Sequence, residues 1–227
     1  MKRAVIVAGG NVEKAFCLAY MEKHAFEYKA AVDAGLQFFY DTKQVPDLIV
    51  GDFDSVDQRV LSRFEKQEEI KWLRLIPEKD DTDTEAALRE LIRRGYDEIH
   101  ILGGIGSRMD HTMGNIGLLG IGLKMGVKIF LADSHNRIRM ITEGITISRK
   151  EQYGDYISLL PFTPQVTGIT LTGMKYPLTE YTMVCHTTIG ISNEIVEEVG
   201  KISFKDGILL VFETRDSGLS NSYFGIQ

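Results

Sequence analysis

Two rhythms of apolar and polar positions divide the chain. Up to about residue 133, short unbroken apolar runs alternate with stretches whose apolar residues recur every three or four positions. "RAVIVAGG", "FEYKAAVDAG", "PDLIVGDFDS", "IKWLRLIP", "DEIHILGG" and "VKIFLAD" read as strands. "NVEKAFCLAYMEKH", "VDQRVLSRFEKQ", "TDTEAALRELIRRG" and "MDHTMGNIGLLGIGLKMG" read as helices between them. Continuous apolar strands alternating with helices predict a parallel sheet covered on both faces. The helix after Thr82 is the most fully specified, with Thr82 and Glu85 fitting a capping box and Gly95 standing where a C-cap belongs. The second strand is expected to run into a turn at Gly35, and the lone Trp72, inside a strand run, is expected in the core.

Past Asp133 the rhythm shortens. "HNRIRMITEGITISRKEQYGDYISLLPFTPQVTGITLTG" and "KISFKDGILLVFETRD" are brief β-rich runs punctuated by Gly, Pro and Asp, with no long helical pattern. The expected fold is therefore α/β followed by all-β, a Rossmann-like parallel-sheet domain over residues 1–133 and a β-sandwich domain over 134–227. The tail "SGLSNSYFGIQ" is expected to be loosely ordered.

Charge and composition narrow the function classes. A net charge of −6 and a pI near 5.4 argue against a nucleic-acid binder, which needs a basic surface. Cys17 and Cys185 form no metal-spaced or CxxC set, as expected for idle thiols in a reducing compartment. The start "MKRAVIVAGG" lacks the long apolar core of a signal peptide, and no run reaches membrane-spanning length. A cytoplasmic protein without a membrane partner is expected.

The chemistry collects where strands end. Functional residues of parallel α/β sheets gather at the C-terminal strand ends, and four acidic or glycine-rich stretches fall there. Asp33-Ala34-Gly35 follows the second strand, Asp52 and Asp54 the third, and Asp80, Asp81 and Asp83 the fourth. Gly103 to Arg108, including Gly104, then Asp110 and His111, follow the fifth. On strand alternation Asp52 and Asp54 point to one side, where two carboxylates repel unless water or a shared cation relieves them. A polar turn and a hard-metal site both explain that pair; four such stretches on one rim favour the cation. Asp81 reads as helix-first-turn charge complementing the macrodipole, whereas Asp80 and Asp83, three apart, can both face the site. "GGIGSR" is not a P-loop, because G-x-x-x-x-G-K-[ST] is absent, yet its backbone can approach an anion at a helix N-terminus. Arg108 adds a planar cationic fork suited to phosphate. His111, on an apolar-flanked helix with Asn115 on its face, reads as structural before catalytic, and the other histidines lack metal spacing.

In order along the chain, Asp33-Ala34-Gly35, "PDLIVGDFDS", "KDDTD", "GGIGSRMDH" with Asn115, and "GISNE" at 190–194 resemble the thiamine pyrophosphokinase family. Where the family pattern has Gly-Gly after the first aspartate, this chain has Ala34-Gly35. The resemblance implies transfer of pyrophosphate from ATP to the hydroxyl of thiamine, giving thiamine diphosphate and AMP. It implies an N-terminal domain for ATP and Mg2+, a C-terminal domain that helps bind thiamine, and a homodimer with active sites shared between subunits. Carried over by residue, it places Asp52, Asp54, Asp80 and Asp83 at the metal, and Asp33, Gly35, Asp52, Asp80, Gly104, Arg108 and His111 at the nucleotide. Asp54, Asp83, Arg108 and Asp110 become catalytic, and Ser192 and Asn193 contact thiamine. Such transfer rests on positioning and charge neutralisation. The hydroxyl needs a proton acceptor, with Asp83 and Asp110 both open. A Tyr, a Phe or the acidic rim is expected to face the thiazolium cation. Two other readings stand beside this one, a pyrophosphokinase for another alcohol such as a pterin and a non-catalytic thiamine or nucleotide sensor. "TTIGISNE" favours thiamine over the pterin, and the full acidic set favours turnover over sensing.

Overall fold

All six apolar runs of the first part form strands: β1 (Arg3–Val7), β2 (Tyr28–Val32), β3 (Leu48–Gly51), β4 (Lys71–Arg74), β5 (Glu98–Leu102) and β6 (Lys128–Ala132). The structure, a computed structural model, describes residues 1–54, 56–76 and 81–216, in two units, Met1–Ser134 and His135 onward. In the first unit the strands pair in parallel in the order β4-β3-β2-β1-β5-β6. Their central residues, among them Val5, Ile6, Ile49 and Ile101, are fully buried, as unbroken apolar runs require. The chain builds outward from β1 to β4 and then returns to place β5 on the other side of β1. Neighbouring loops leave the sheet in opposite directions at that reversal, opening a crevice at the strand ends.

Among the described residues five helices connect the strands: α1 (Lys14–His24), α2 (Leu36–Thr42), α3 (Gln58–Phe64), α4 (Asp83–Arg93) and α5 (Met109–Met125). In α4, Thr84, Ala87, Leu88 and Leu91 recur at helical spacing and face β1 to β3. Leu88 and Leu91 are fully buried, each contributing about 1.5–3 kcal/mol. The Thr82 hydroxyl caps the helix by accepting the Glu85 N–H at 3.2 Å. Only this half of the expected capping box is made, because the Glu85 carboxylate pairs with Arg89 at 2.6 Å. Asp81 stands outside the helix rather than in its first turn and reaches Arg89 at 3.8 Å. Gly95 takes the left-handed conformation (φ 80°) just past the helix end, as expected.

Three further expectations are corrected. The chain does not simply turn after β2, because Asp33–Gly35 forms a 3-10 turn that runs into α2. That helix has no side-chain N-cap and depends on burying Leu36, Phe38 and Phe39. Trp72 is half-buried on the edge strand β4 rather than in the core. And β3 ends at Gly51, so strand alternation does not govern Asp52 and Asp54.

Among the described residues, the regular elements of the second unit are all strands. β7 (Asn136–Ile141), β13 (Leu209–Thr214) and β9 (Tyr156–Pro161) pair antiparallel in that order. β11 (Leu178–Val184), β10 (Gln165–Thr172), β12 (Val199–Ser203) and β8 (Ile145–Ser148) form a second antiparallel sheet. Ile157, Leu159 and Val211 of the first meet Val166, Ile169 and Ile202 of the second in one buried cluster, the core of a β-sandwich. β11 lies outside the β-rich runs singled out in the sequence, since as an edge strand it fully buries only Met183.

Candidate active site

A cleft of about 530 Å³ opens at the C-terminal ends of β1, β2 and β5, where the strand order reverses. Two glycine loops form its floor. The Gly10 N–H donates to the Gly103 carbonyl at 2.7 Å, and the Asn11 N–H to the Ile105 carbonyl at 2.9 Å. A Cβ on Gly10 would stand 2.4 Å from the Gly103 oxygen, so the two backbones can lie this close only with glycine there. Gly9 and Gly10 were not among the residues selected from the sequence. The available signal was a Gly-Gly pair directly after a buried strand.

One wall is the start of α5, which brings Arg108, Asp110, His111, Gly114 and Asn115 to the cleft. The Asn115 amide donates to the Gly104 carbonyl at 2.7 Å, and Thr112 Oγ1 accepts the Gly106 N–H at 3.3 Å. These bonds tie the "GGIGSR" loop to the helix that follows it. The other wall holds Asp33 and Ala34 after β2, and Thr82, Thr84 and Glu85 at the start of α4. Two helices therefore begin at the cleft, each turning unpaired N–H groups and the positive end of its dipole toward it. Thr84 and Glu85 are further lining residues that the sequence reading did not select for the site.

Arg108 and Asp110 form a forked ion pair, Nη2 to Oδ2 at 2.6 Å and Nε to Oδ1 at 3.2 Å. The Arg108 hydrogen bond, helped by the His111 backbone N–H, holds the Asp110 carboxyl well down, at about 2. Asp33 sits in a left-handed conformation (φ 45°) at the mouth of the 3-10 turn. A Cβ on Gly51 would meet its Oδ1 at 1.9 Å, which shows how closely the end of β3 approaches Asp33. Gly35 presses on the Val7 carbonyl, where a Cβ would meet oxygen at 2.0 Å, while Ala34 lines the cleft. Of that pair the second position is the one that cannot carry a side chain.

Beyond Gly51, Asp52-Phe53-Asp54 forms a tight turn in which the Asp54 N–H donates to Asp52 Oδ1 at 3.3 Å. Phe53 is left-handed (φ 64°), yet only 6% exposed. For a bulky residue such a conformation costs about 1–3 kcal/mol, which burial of the ring, about 1.5–3 kcal/mol, can offset. The two aspartates do not line the cleft itself, but their turn continues directly from Gly51 against Asp33. Asp83 is the first residue of α4, between the lining residues Thr82 and Thr84. Asp80 lies outside the described residues. Among the described residues no group of three or more His, Cys, Asp or Glu could hold a metal alone. Asp52 and Asp54 nevertheless offer hard carboxylate oxygens from one turn. That suits Mg2+, which takes one or two carboxylates and completes its shell with phosphate and water.

In the second unit Ser192 is also left-handed (φ 56°), and its N–H donates to Ser158 Oγ at 2.9 Å. Asn193 is 6% exposed. Its amide accepts the Tyr176 N–H at 3.0 Å and donates to the Tyr176 carbonyl at 2.8 Å. The Tyr176 ring beside it is exposed, with the Lys175 ammonium 5.6 Å from its centre.

Residues 20–131 match the family model described as "Thiamin pyrophosphokinase, catalytic domain", and 143–209 match "Thiamin pyrophosphokinase, vitamin B1 binding domain". Thiamine pyrophosphokinase of Bacillus subtilis (strain 168) is 37% identical over 221 residues, covering 95% of this chain and 100% of the relative. The crystal structure of the Bacillus subtilis protein superposes with a TM-score of 0.85 at 35% identity, over 95% of this chain and 100% of that one. That of thiamin pyrophosphokinase from Geobacillus thermodenitrificans gives a TM-score of 0.82 at 28% identity, over 95% and 99%. Ordered motifs, fold and near-full-length identity agree, and the chain belongs to the thiamine pyrophosphokinase family of enzymes.

Proposed function

We infer that the protein transfers the pyrophosphoryl group of ATP to the primary hydroxyl of thiamine, releasing AMP and thiamine diphosphate. The observation that carries this reading is the cleft at the strand-order reversal, floored by glycine loops and faced by two helix N-termini and Arg108. Such a site suits a polyphosphate, since backbone N–H groups and a guanidinium fork neutralise its oxygens without a P-loop. Asp33, Gly35, Gly104, Arg108 and His111 are read as nucleotide contacts. Asp52 and Asp54, with Asp83 and Asp80, would hold Mg2+, which when bound supplies charge neutralisation along the phosphate chain.

The rest is positioning. The hydroxyl must approach the β-phosphorus in line with the departing AMP oxygen, and fixed donors stabilise the charge that develops. The Arg108 ion pair holds the Asp110 carboxyl at about 2, which makes Asp110 a weak proton acceptor at neutral pH. Its role is then to orient Arg108, and Asp83 remains the other candidate proton acceptor. Thiamine recognition is assigned to the turn at Ser192 and Asn193, with the exposed Tyr176 ring supplying the aromatic face a thiazolium favours. The homodimer with active sites shared between subunits, implied by the resemblance, belongs to the same reading.

Incubation with ATP, Mg2+ and thiamine tests it. Thiamine diphosphate and AMP are expected in equal amounts. ADP with thiamine monophosphate would show attack on the γ-phosphorus and refute the assignment. Turnover of a pterin alcohol but not thiamine would move the substrate.

A further inference from the structure

Between the two aspartates of the metal turn stands Phe53, and two side chains converge on its ring. Trp72 and Arg74 alternate onto one face of β4, the edge strand beside β3. The Trp72 ring meets that of Phe53 edge-on, 5.4 Å between centroids at 78°. The Arg74 guanidinium lies 4.8 Å from the Trp72 ring centre and 5.4 Å from that of Phe53. Arg74 is fixed in turn by Glu65, Nη2 to Oε1 at 2.8 Å. The backbone sets the register, with Arg74 opposite Gly51 and the Leu75 N–H donating to the Gly51 carbonyl at 3.0 Å.

The conformation being held is an unusual one. Among the other left-handed non-glycine residues, Ala25 and Lys43 are helix C-caps, where that conformation is ordinary, and Asp33, Glu180 and Ser192 carry polar side chains rather than a bulky ring. Phe53 ends no helix, and a left-handed bulky residue persists only where its surroundings over-determine it. Packing the ring into the interior would not by itself require an edge-strand tryptophan capped by a cation. Trp72 and Arg74 put that contact on the residue whose backbone sets the direction of both neighbouring carboxylates.

We propose that Trp72 and Arg74 are positioning residues, clamping the Phe53 ring so that the Asp52-Phe53-Asp54 turn keeps the single arrangement in which both carboxylates serve the metal. The inference rests on the reading of Asp52 and Asp54 as metal-holding groups. Its consequence is quantitative. If loss of the clamp leaves the turn competent about one fifth of the time, apparent metal affinity falls about fivefold.

Mn2+, a hard, oxygen-preferring stand-in for Mg2+, is titrated by electron paramagnetic resonance with ATP present and thiamine absent. Circular dichroism follows folding in parallel. Trp72→Ala and Arg74→Ala should each weaken Mn2+ binding about fivefold, whereas Trp72→Phe and Arg74→Lys, which keep a ring and a cation, should restore most of it. Arg74 has a 58% exposed side chain, so its alanine variant carries the test even where Trp72→Ala fails to fold. Asp52→Asn and Asp54→Asn are measured alongside. Loss of affinity in these with none in folded Trp72→Ala or Arg74→Ala overturns the positioning role and leaves the functional reading standing. Unchanged affinity in Asp52→Asn and Asp54→Asn overturns both.

Discussion

Replacing Gly10 with alanine tests the floor of the cleft most directly. The added Cβ would lie 2.4 Å from the Gly103 carbonyl oxygen and 2.8 Å from that of Ile105, where ordinary contact begins at 3.4 Å. Both obstacles are backbone, so relief requires the β1 and β5 loops to part by about 1 Å. That movement stretches the 2.7 Å bond from the Gly10 N–H to Gly103. Overpacking of this kind costs about 1–3 kcal/mol. With a urea slope of about 2 kcal/mol per molar, a 2 kcal/mol loss lowers the unfolding midpoint by about 1 M. The chain's one tryptophan, Trp72, lies in the first unit, so its fluorescence reports that unit's unfolding separately. Gly117→Ala is the matched control. It lies within α5 with nothing inside 4 Å of a new Cβ, and removing a mid-helix glycine should stabilise by about 1 kcal/mol. Calorimetric titration with ATP, without thiamine, should show at least about tenfold weaker binding to Gly10→Ala, because a 1 Å displacement can cost as much as a hundredfold. Binding to Gly117→Ala should not change. A Gly10→Ala protein with an unshifted midpoint and unaltered ATP affinity would refute the close approach of the two loops and their part in the site.

Asp54→Asn should lower AMP formation by orders of magnitude while circular dichroism stays unchanged, since it removes a metal-holding charge without changing size; normal turnover with normal Mg2+ dependence returns the pair to a polar turn. Glu98, hydrogen-bonded to buried His100 at 3.2 Å and paired with Arg3 at 3.0 Å, has its carboxyl held below the ordinary range, chiefly by the His100 bond. Its contribution is thus fully present above the unfolded value of 4.5 and is lost as pH falls through the lower folded value. Glu98→Gln should therefore unfold at lower urea than the parent at neutral pH, with the gap closing in acid; a gap that is constant with pH would contradict the assignment. Asn193→Ala leaves the Tyr176 backbone N–H and carbonyl without their amide partner, so the apparent KM for thiamine should rise while ATP affinity, read by calorimetry, holds. Co-refolding Asp54→Asn with Asn193→Ala should recover activity if active sites are shared between subunits, and mixed dimers that stay inactive would exclude sharing.

The local grammar of the chain determined a good deal. The α4 boundaries followed from Thr82, Gly95 and the spacing of Ala87, Leu88 and Leu91, because capping and periodicity act within one turn of helix. The six strands of the parallel sheet followed from their apolar runs for the same reason. Strand-end chemistry likewise pointed to Asp33, Gly104, Arg108 and Asp110 before the cleft they line was seen, whereas His111, which read as structural first, lines it too. Other features depended on which elements became neighbours. Trp72 looked like core in an apolar run, but β4 is an edge strand, and only the pairing order decides that. α2 carries no cap and no long period; buried Phe38 and Phe39 hold it, a tertiary override of weak propensity. Asp52 and Asp54 were placed on one side by strand alternation, and the end of β3 at Gly51, with the left-handed Phe53 between them, removed that logic. Gly9 and Gly10 became part of the site only when the return of the chain to β5 laid a second glycine loop across them. Periodicity and caps are short-range and can be read in sequence; edge, cleft and strain arise from contacts between residues far apart in the chain.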